Sequence, residues 1–275
     1  MNLVKINSFK RKFTYSLQRL LFRSFMIATS EQFGLKFKFK SEDVVGRHIY
    51  KYDIHELEDT KILLAEVKPT EGDIILDIGA NIGWYSLIFA QQGATVHAFE
   101  PDPMNNALLV ENIKINKLDN LVSSHLFAIS DKKSTMSLYL YPNRNRGRHS
   151  LNPNLGCTII DVQTVSLDEF LDESHIDIKK VKLLKMDIEG HELPALQGAK
   201  KLLQHVPYLL VEHGPEHIRI GGYNPKDLID LLYHHDYIPY IVTQNGVRET
   251  TVIELHSDND ERNIFWCKKD VARPC

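Results

Sequence analysis

Two short segments of the chain combine carboxylates with histidines. MDIEGHE covers residues 186–192 and VEHGPEH covers residues 211–217, and each completes an apolar run. A histidine titrates near neutral pH and a neighbouring carboxylate can orient it, so such a group can take a proton from a substrate. The candidates for this chemistry are Asp187, Glu189, His191, Glu212 and His213.

His213 is the first candidate for a general base, with Glu212 or Asp187 orienting its imidazole, and Asp187 is the alternative base. Glu189 and His191 open the next predicted helix. We interpret Glu189 as functional and His191 as an imidazole in solvent. A carboxylate–carboxylate–histidine group could also hold a divalent ion that lowers the pKa of a hydroxyl. We do not favour a metal, because no ligand spacing in the sequence requires one.

A glycine-containing loop follows another apolar run, in ILDIGANIG at residues 75–83. A tight turn from a buried strand into a helix presents backbone amides and the positive helix end to a ligand. Gly79 permits close backbone approach, and Gly83 allows the helix to pack near the strand. A pyrophosphate favours glycine at position 81, but Asn81 stands there, which tolerates left-handed dihedral angles and adds a side chain. The loop therefore indicates a ligand without a diphosphate.

Glu100, in HAFEPDP, occupies a second informative position. It ends the next predicted strand about twenty residues after the loop, where a carboxylate can accept both hydroxyls of a ribose. A dinucleotide would satisfy the same arrangement, and the acid could instead cap the helix that begins after Pro101. Loop and acid together favour a ligand that contains a nucleoside.

These side chains need a scaffold that brings strand ends together, and the hydrophobic pattern predicts one. From about residue 72, short apolar runs alternate with longer amphipathic stretches. The strand-like runs are GDIILDIG, TVHAFE, LVSSHLFAIS, VKLLKMDIEG, VPYLLVEH, YIPYIVTQ and RNIFWCKK. This alternation predicts an open parallel sheet with helices on both faces, in which ligands gather outside the carboxyl ends of the strands.

Two regions depart from the alternation. Residues 134–165 indicate two strand-like pieces around a polar loop carrying Arg144, Arg146 and Arg148, which could grip an anionic substrate or simply face solvent. The N-terminal KRKFTYSLQRLLFRSF predicts a basic amphipathic helix. This helix could contact an anionic membrane surface, although packing on the body or on a partner subunit is the favoured interpretation.

Composition limits the classes of function. The chain has 275 residues, 25% of them charged, and a formal net charge of −3, which excludes a strongly basic nucleic-acid binder. The charge is uneven, since residues 1–40 carry a net +8 and the remainder a net −11.

Cys157, Cys267 and Cys275 are widely spaced, which fits a reducing compartment and supports neither disulfides nor a zinc site. No apolar run is long enough to span a membrane, and we expect a cytoplasmic location.

The stretch ILDIGANIGWYSLIFAQQGATVHAFEPDP resembles motif I and the ribose-binding acid of class I S-adenosylmethionine-dependent methyltransferases. More narrowly, DIGANIG, FEPDP, FAISD, TVSLDEFL and LLKMDIEGHELPALQGA resemble the FkbM family, over roughly residues 70–243. The resemblance implies a Rossmann-like α/β fold with a seven-stranded, mostly parallel sheet in the order 3-2-1-4-5-7-6. Strand seven, at about residues 263–269, would be antiparallel. We expect a helical N-terminal extension at residues 1–45 and the methyltransferase domain at 46–275.

The resemblance also implies a binding site for S-adenosylmethionine. Its residues would be Asp77, Gly79, Ala80, Asn81, Gly83, Glu100, Pro101, Ser130, Asp131 and Asp187. Asp77 would anchor the loop and reach the ligand's ammonium through water, and the amides around Gly79–Gly83 would meet its carboxylate. Asp187 would contact the amine if it is not the base.

At the nucleoside end, the resemblance implies that Glu100 takes the ribose hydroxyls. Pro101 and Asp102 would shape that wall. Ser130 and Asp131, which end the third predicted strand, would meet the adenine.

The expected function is transfer of a methyl group from S-adenosylmethionine to a hydroxyl of a saccharide, a glycolipid or a secondary metabolite. One alternative is a nicotinamide-dependent oxidoreductase that uses the same strand, loop and acid. The other is a non-catalytic scaffold whose basic N-terminus binds a membrane or a partner. The expected partner is a small-molecule or glycan acceptor rather than a nucleic acid, and oligomerisation is left open.

Overall fold

The structure is a computed structural model that describes residues 11–17, 24–140, 149–152 and 158–271. The strands are β1 (Phe25–Ser30), β2 (Leu35–Lys40), β3 (Ile74–Ile78), β4 (Thr95–Phe99), β5 (Val122–His125), β6 (Ala128–Ile129), β7 (Ser134–Leu140), β8 (Thr158–Val165), β9 (Val181–Met186), β10 (Tyr208–His213), β11 (Tyr237–Thr243), β12 (Gly246–Glu249) and β13 (Arg262–Lys268). The helices are α1 (residues 11–17), α2 (Val44–Tyr52), α3 (Leu57–Ile62), α4 (Trp84–Gln91), α5 (Pro103–Ile115), α6 (Leu167–Glu173), α7 (Glu192–Gln197), α8 (Pro215–Ile220), α9 (Pro225–His234) and α10 (Val252–Ser257).

The main sheet confirms the predicted α/β topology. Its spatial order is β12-β11-β13-β10-β9-β3-β4-β5, which contains the expected order 3-2-1-4-5-7-6 and adds β12 at one edge. Strands β5, β4, β3, β9 and β10 are mutually parallel. Strand β13 lies antiparallel between β10 and β11, as predicted for strand seven. The carboxyl ends of β3, β4, β9 and β10 therefore meet at one edge.

Alternation along each central strand divides the core between the two faces of the sheet. Ile75 joins the apolar cluster on one face, whereas Leu76 and Ile78 join the cluster on the other. This arrangement follows from the two-residue period of a strand, which sends successive side chains to opposite faces. Helix α5 begins at Pro103, where the Asp102 side chain accepts the Met104 amide as an N-cap.

A second, smaller sheet contains the two strand-like pieces expected within residues 134–165. β7 and β8 pair antiparallel, and β8 also pairs with the short β6. The predicted arginine-rich loop with Arg144, Arg146 and Arg148 falls outside the described residues.

The N-terminal segment differs from the expected helical extension. Residues 11–17 are helical, but β1 and β2 form an antiparallel hairpin. The reason is visible in LKFKFK, whose apolar residues alternate with lysines at the period of a strand rather than of a helix. Phe37 and Phe39 of β2 are fully buried in the same apolar cluster as Trp84 of α4, with the Phe37 and Trp84 ring centroids 5.4 Å apart. A boundary near residue 45 stays a prediction.

Within the described part of the chain, no helix has the length and apolar character needed to cross a membrane. Helix α1 buries Tyr15 and exposes Phe13 and Leu17. Most of the predicted amphipathic segment beyond residue 17 lies outside the described residues, so membrane contact stays a prediction.

Candidate active site

A cavity of about 220 Å³ opens where the carboxyl ends of the central strands meet. Its wall includes most of the residues that the sequence assigned to a site. These are Gly79, Ala80, Asn81, Glu100, Pro101, Asp187, Glu189 and Glu212. The sheet topology therefore brings together side chains that lie more than a hundred residues apart in the sequence.

The end of β4 and the loop after β3 are tied together through Glu100. Its carboxylate accepts the Asn81 amide at 2.9 Å and the Asp102 amide at 3.0 Å. Burial raises the pKa of Glu100 to about 8. Asn81 adopts the expected left-handed backbone, with φ of 52°, and its buried Oδ1 has no hydrogen-bond partner among the described residues. Because each carboxylate oxygen can accept more than one hydrogen bond, Glu100 keeps acceptor capacity towards the cavity.

The loop amides differ from the expectation. The amides of Gly79 and Ala80 both donate to the Phe99 carbonyl at 3.0 Å, and the Gly83 amide donates to the Ala80 carbonyl at 2.8 Å. The Gly79 and Ala80 amides hold the loop against β4, and the Gly83 amide closes a turn within the loop, so none of the three is directed to a ligand carboxylate. Gly83 does not line the cavity. An added Cβ there would lie 2.6 Å from the Leu109 side chain, which is the helix-packing role expected of this glycine.

Lys185 joins the two aspartates of the site. Its Nζ lies 3.7 Å from Asp77 Oδ1 and 3.7 Å from Asp187 Oδ2, and it donates to the Gly79 carbonyl at 3.3 Å. Burial alone lowers the pKa of Lys185, but the carboxylates of Asp187 and Asp77 outweigh it, so the pKa lies above its ordinary value. Asp77 is fully buried behind the loop, where its Oδ2 accepts the Ser86 hydroxyl at 2.5 Å. Asp77 thus anchors the loop, while Asp187 lines the cavity.

Carboxylates dominate the side of the cavity away from Glu100. Asp187 and Glu212 also line an adjoining cavity of about 300 Å³, together with Glu56 and Glu261. Burial raises the pKa of Asp187 to about 6, against the opposing effect of Lys185. The pKa of Glu212 lies well above its ordinary value, because it is buried and faces the charges of Asp187 and Glu189. This wall can accept hydrogen bonds from hydroxyl groups and can take up a proton.

The position of His213 contradicts its assignment as the base. Glu212 and His213 are consecutive in β10, so their side chains point to opposite faces of the sheet. Glu212 lines the cavity, whereas His213 is buried away from it and pairs through its backbone with Arg262. Burial lowers the pKa of His213.

The expectation that His191 lies in solvent is also wrong. His191 is buried, and its Nε2 lies 3.0 Å from the Ser130 hydroxyl. Ser130 therefore points away from the cavity, and neither it nor Asp131 belongs to the cavity wall. Phe127, Ala128 and Ile129, just before them, form an apolar wall instead. The residues that line the cavity here thus lie one to three positions before the predicted Ser130.

Several residues of the cavity wall carried no motif in the sequence. Glu56 accepts the Tyr85 hydroxyl at 2.7 Å and lies 3.3 Å from His55 Nε2. Burial acts to raise the pKa of Glu56, but His55 outweighs it and lowers the pKa to about 2. Lys185 did carry a signal, since a lysine within a predicted buried strand needs a carboxylate partner. No comparable signal marked the segment before α3.

The sheet order, the loop after β3 and the acid at the end of β4 define a Rossmann-like methyltransferase. The chain belongs to the methyltransferase FkbM domain family, whose match spans residues 77–239. This membership confirms the resemblance and favours methyl transfer over the oxidoreductase alternative. The protein is therefore a methyltransferase.

Relatives of the chain are also methyltransferases. The chain is 31% identical over 210 residues to the hexuronic acid methyltransferase AglP of Haloferax volcanii, covering 76% of this chain and 80% of that protein. It is 29% identical to the 31-O-demethyl-FK506 methyltransferase FkbM of Streptomyces tacrolimicus, covering 49% of this chain and 62% of that protein. A crystal structure of an FkbM methyltransferase from Methylobacillus flagellatus is 22% identical, with a TM-score of 0.44, over 71% of this chain and 43% of that one.

Proposed function

We propose that the protein transfers a methyl group from S-adenosylmethionine to a hydroxyl oxygen of a saccharide. The observation that carries this proposal is a single cavity that joins Glu100, at the end of β4, to the carboxylates that follow β9 and end β10. One end suits a nucleoside, and the other suits a polyhydroxylated acceptor.

The nucleoside end fits the cofactor in three respects. Glu100 has acceptor capacity for ribose hydroxyls, and the buried Oδ1 of Asn81 has no partner among the described residues. Phe127 and Ile129 offer an apolar surface for a flat base. When bound, the cofactor supplies a methyl group already activated by its positive sulfonium. The chain must then hold the acceptor in line and receive its proton.

At the acceptor end, Asp187 is the residue we assign as general base. It lies at the junction of the two cavities, and Lys185 fixes its orientation from behind. Glu212 and Glu56 can accept hydrogen bonds from further hydroxyls of a sugar. The naming of AglP as a hexuronic acid methyltransferase supports a saccharide over a lipid or polyketide acceptor. The cytoplasm stays the predicted location.

Calorimetry on the purified full chain tests the cofactor, with S-adenosylhomocysteine and NAD titrated separately. Binding of S-adenosylhomocysteine with a Kd at least tenfold below that of NAD supports the proposal. Binding of NAD alone would overturn it.

A panel of saccharides, lipids and hydroxylated secondary metabolites, incubated with S-adenosylmethionine labelled in its methyl group, then tests the acceptor. The panel should pair each uronic acid glycoside with the neutral sugar of the same stereochemistry. Transfer to saccharide members of the panel supports a saccharide acceptor. Label in secondary metabolites or lipids, with none in any saccharide, would refute the acceptor class while leaving the cofactor intact.

A further inference from the structure

Three potential metal ligands converge at the acceptor end of the cavity. They come from the segment after β9, from β10 and from α8, and are Glu189, Glu212 and His217. One ligand atom from each lies within 4.8 Å of the others. His217 Nδ1 and Glu189 Oε2 are 3.1 Å apart. Two ligands at right angles, each about 2.1–2.2 Å from one ion, are separated by roughly 3 Å, so this spacing fits adjacent coordination positions.

Local backbone geometry brings His217 to this place. Gly190, directly after Glu189, has φ of 96°, and an added Cβ would lie 2.5 Å from the His217 carbonyl carbon. The close approach of α8 to the β9 turn therefore depends on a residue without a side chain. The segment that carries Glu189 and the helix that carries His217 are thus held against each other.

Glu212 supplies an independent observation that points to a bound cation. The residue is only 8% exposed, and its buried Oε2 accepts no hydrogen bond from any described residue. A buried carboxylate oxygen is normally paired with a donor or a cation. This oxygen belongs to the same carboxylate that approaches Glu189 and His217.

The surrounding charge is strongly negative, and the two cavity walls offer no free lysine or arginine among the described residues. Besides Glu189 and Glu212, the walls of the two adjoining cavities carry Glu56, Asp59, Asp187 and Glu261. The lysine and the arginine on these walls are engaged elsewhere, Lys185 with Asp77 and Asp187 and Arg262 with Asp258 and Asp260. A cation bound among the carboxylates would offset this repulsion.

We propose that Glu189, Glu212 and His217 bind one divalent cation of the Mn²⁺ class. Carboxylates suit Mg²⁺ and Mn²⁺, whereas imidazole suits later transition metals, and Mn²⁺ accepts both kinds of ligand. Three protein ligands leave coordination positions open towards the cavity. A role at those positions rests on the proposed function: the cation would bind an acceptor hydroxyl and lower its pKa next to Asp187.

The test uses the full chain after dialysis against a chelator, with Mn²⁺ alone as the probe. Electron paramagnetic resonance counts free Mn²⁺ during a titration, and thermal unfolding is recorded with and without the ion. One Mn²⁺ per chain should bind and raise the unfolding midpoint. Glu212→Gln and Glu189→Gln should each weaken Mn²⁺ binding at least about tenfold. Loss of a residue that merely hydrogen-bonds a metal ligand already lowers metal affinity about tenfold or more, and each of these variants alters a ligand itself. Glu216→Gln is the matched control, since Glu216 precedes His217 on α8 but is exposed.

A second readout separates loss of a ligand from loss of the fold. Glu212→Gln replaces a buried carboxyl group that faces other carboxylates, so its midpoint without metal should equal or exceed that of the wild type, while the Mn²⁺-induced rise disappears. Absence of Mn²⁺ binding by the wild type would overturn the site. So would a Mn²⁺-induced rise that persists unchanged in Glu212→Gln. The Mn²⁺ titration contains no cofactor or acceptor, so its outcome is independent of the calorimetry with S-adenosylhomocysteine. A protein that binds S-adenosylhomocysteine but not Mn²⁺ refutes the cation site alone. The converse result refutes the proposed cofactor alone.

Discussion

The carboxylate of Glu100 accepts the backbone amide of Asn81 at 2.9 Å, which ties the end of β4 to the loop after β3. The same carboxylate accepts the Asp102 amide at 3.0 Å. Glu100 therefore has a structural task as well as the proposed binding task. Variants of Glu100 must therefore be measured for both stability and cofactor affinity.

Above about pH 8, where the Glu100 carboxylate is ionised, Glu100→Ala should weaken binding of S-adenosylhomocysteine by about 2–4 kcal/mol, taking two charge-assisted hydrogen bonds at about 1.5–3 each with imperfect additivity. It should also lower the unfolding midpoint, because two amides lose their acceptor. Glu100→Gln keeps an acceptor oxygen and should unfold closer to the wild type while still binding more weakly. Calorimetry and thermal unfolding measure these effects, with the exposed Glu111→Ala as control. Full affinity in a folded Glu100→Ala protein would remove Glu100 from the cofactor site.

Lys185→Met should destabilise the fold by about 3–5 kcal/mol, the usual result of breaking a buried ion pair from one side. The reason is that Asp77 and Asp187 are left facing each other without their shared cation. Adding Asp77→Asn should recover part of this loss. Urea unfolding at neutral pH measures each variant. The control is Lys182→Met on the same strand, whose more exposed pair with Asp73 should contribute about 0–1 kcal/mol. Equal effects at Lys182 and Lys185 would contradict the account.

Asp187→Asn should lower kcat by about 10²–10⁴, the usual contribution of a positioned general base. His213→Asn should change kcat by less than about tenfold, because its side chain lies on the other face of the sheet. Both values come from initial rates with an acceptor identified in the saccharide panel. A larger loss at His213 than at Asp187 would restore the assignment made from the sequence alone.

The alternating apolar runs predicted a parallel α/β sheet, and the resemblance to the FkbM family supplied the order of its strands. The DIGANIG and FEPDP segments located much of the cavity wall, because they encode it locally. The assignment of His213 was wrong because two consecutive residues of a strand face opposite sides of the sheet. The sequence alone does not show whether Glu212 or His213 faces the cavity. It failed at the β1–β2 hairpin because the basic charge of LKFKFK obscured its two-residue period. Glu56, His55 and Tyr85 could not be found, since long-range packing alone brings them to the cavity.

His125→Phe should reduce the loss of stability at acid pH. The His125 ring packs between Phe99 and Phe170, with ring centroids 4.8 and 4.9 Å away, and its Nε2 lies 3.1 Å from His97 Nδ1. Burial, and then the neighbouring His97, lower the pKa of His125 to about 4. An unfolded histidine titrates near pH 6.5, so between about pH 6.5 and 4 the unfolded chain binds a proton that the folded protein does not. Stability contributed by neutral His125 is therefore present above pH 6.5 and lost as the pH falls towards 4.

Urea unfolding at a series of pH values measures this dependence. The slope of the unfolding free energy against pH is proportional to the number of protons taken up on unfolding. In His125→Phe this number should fall by up to about one. The exposed His205→Gln variant should keep the wild-type slope. An unchanged slope in His125→Phe would show that His125 is protonated in the folded protein.

The most direct test of the central claim is the chemical position of the transferred methyl group. The protein is incubated with S-adenosylmethionine carrying a trideuterated methyl group and with the responsive saccharide, and the product is analysed by mass spectrometry before and after mild alkaline hydrolysis. A methyl ether on a hydroxyl oxygen survives alkali, as a methyl group on nitrogen or carbon also does. The predicted result is therefore label that survives alkali and that the fragment ions place on a hydroxyl oxygen. Label that alkali releases, which marks an ester on a carboxylate, or label on nitrogen or carbon, would contradict transfer to a hydroxyl.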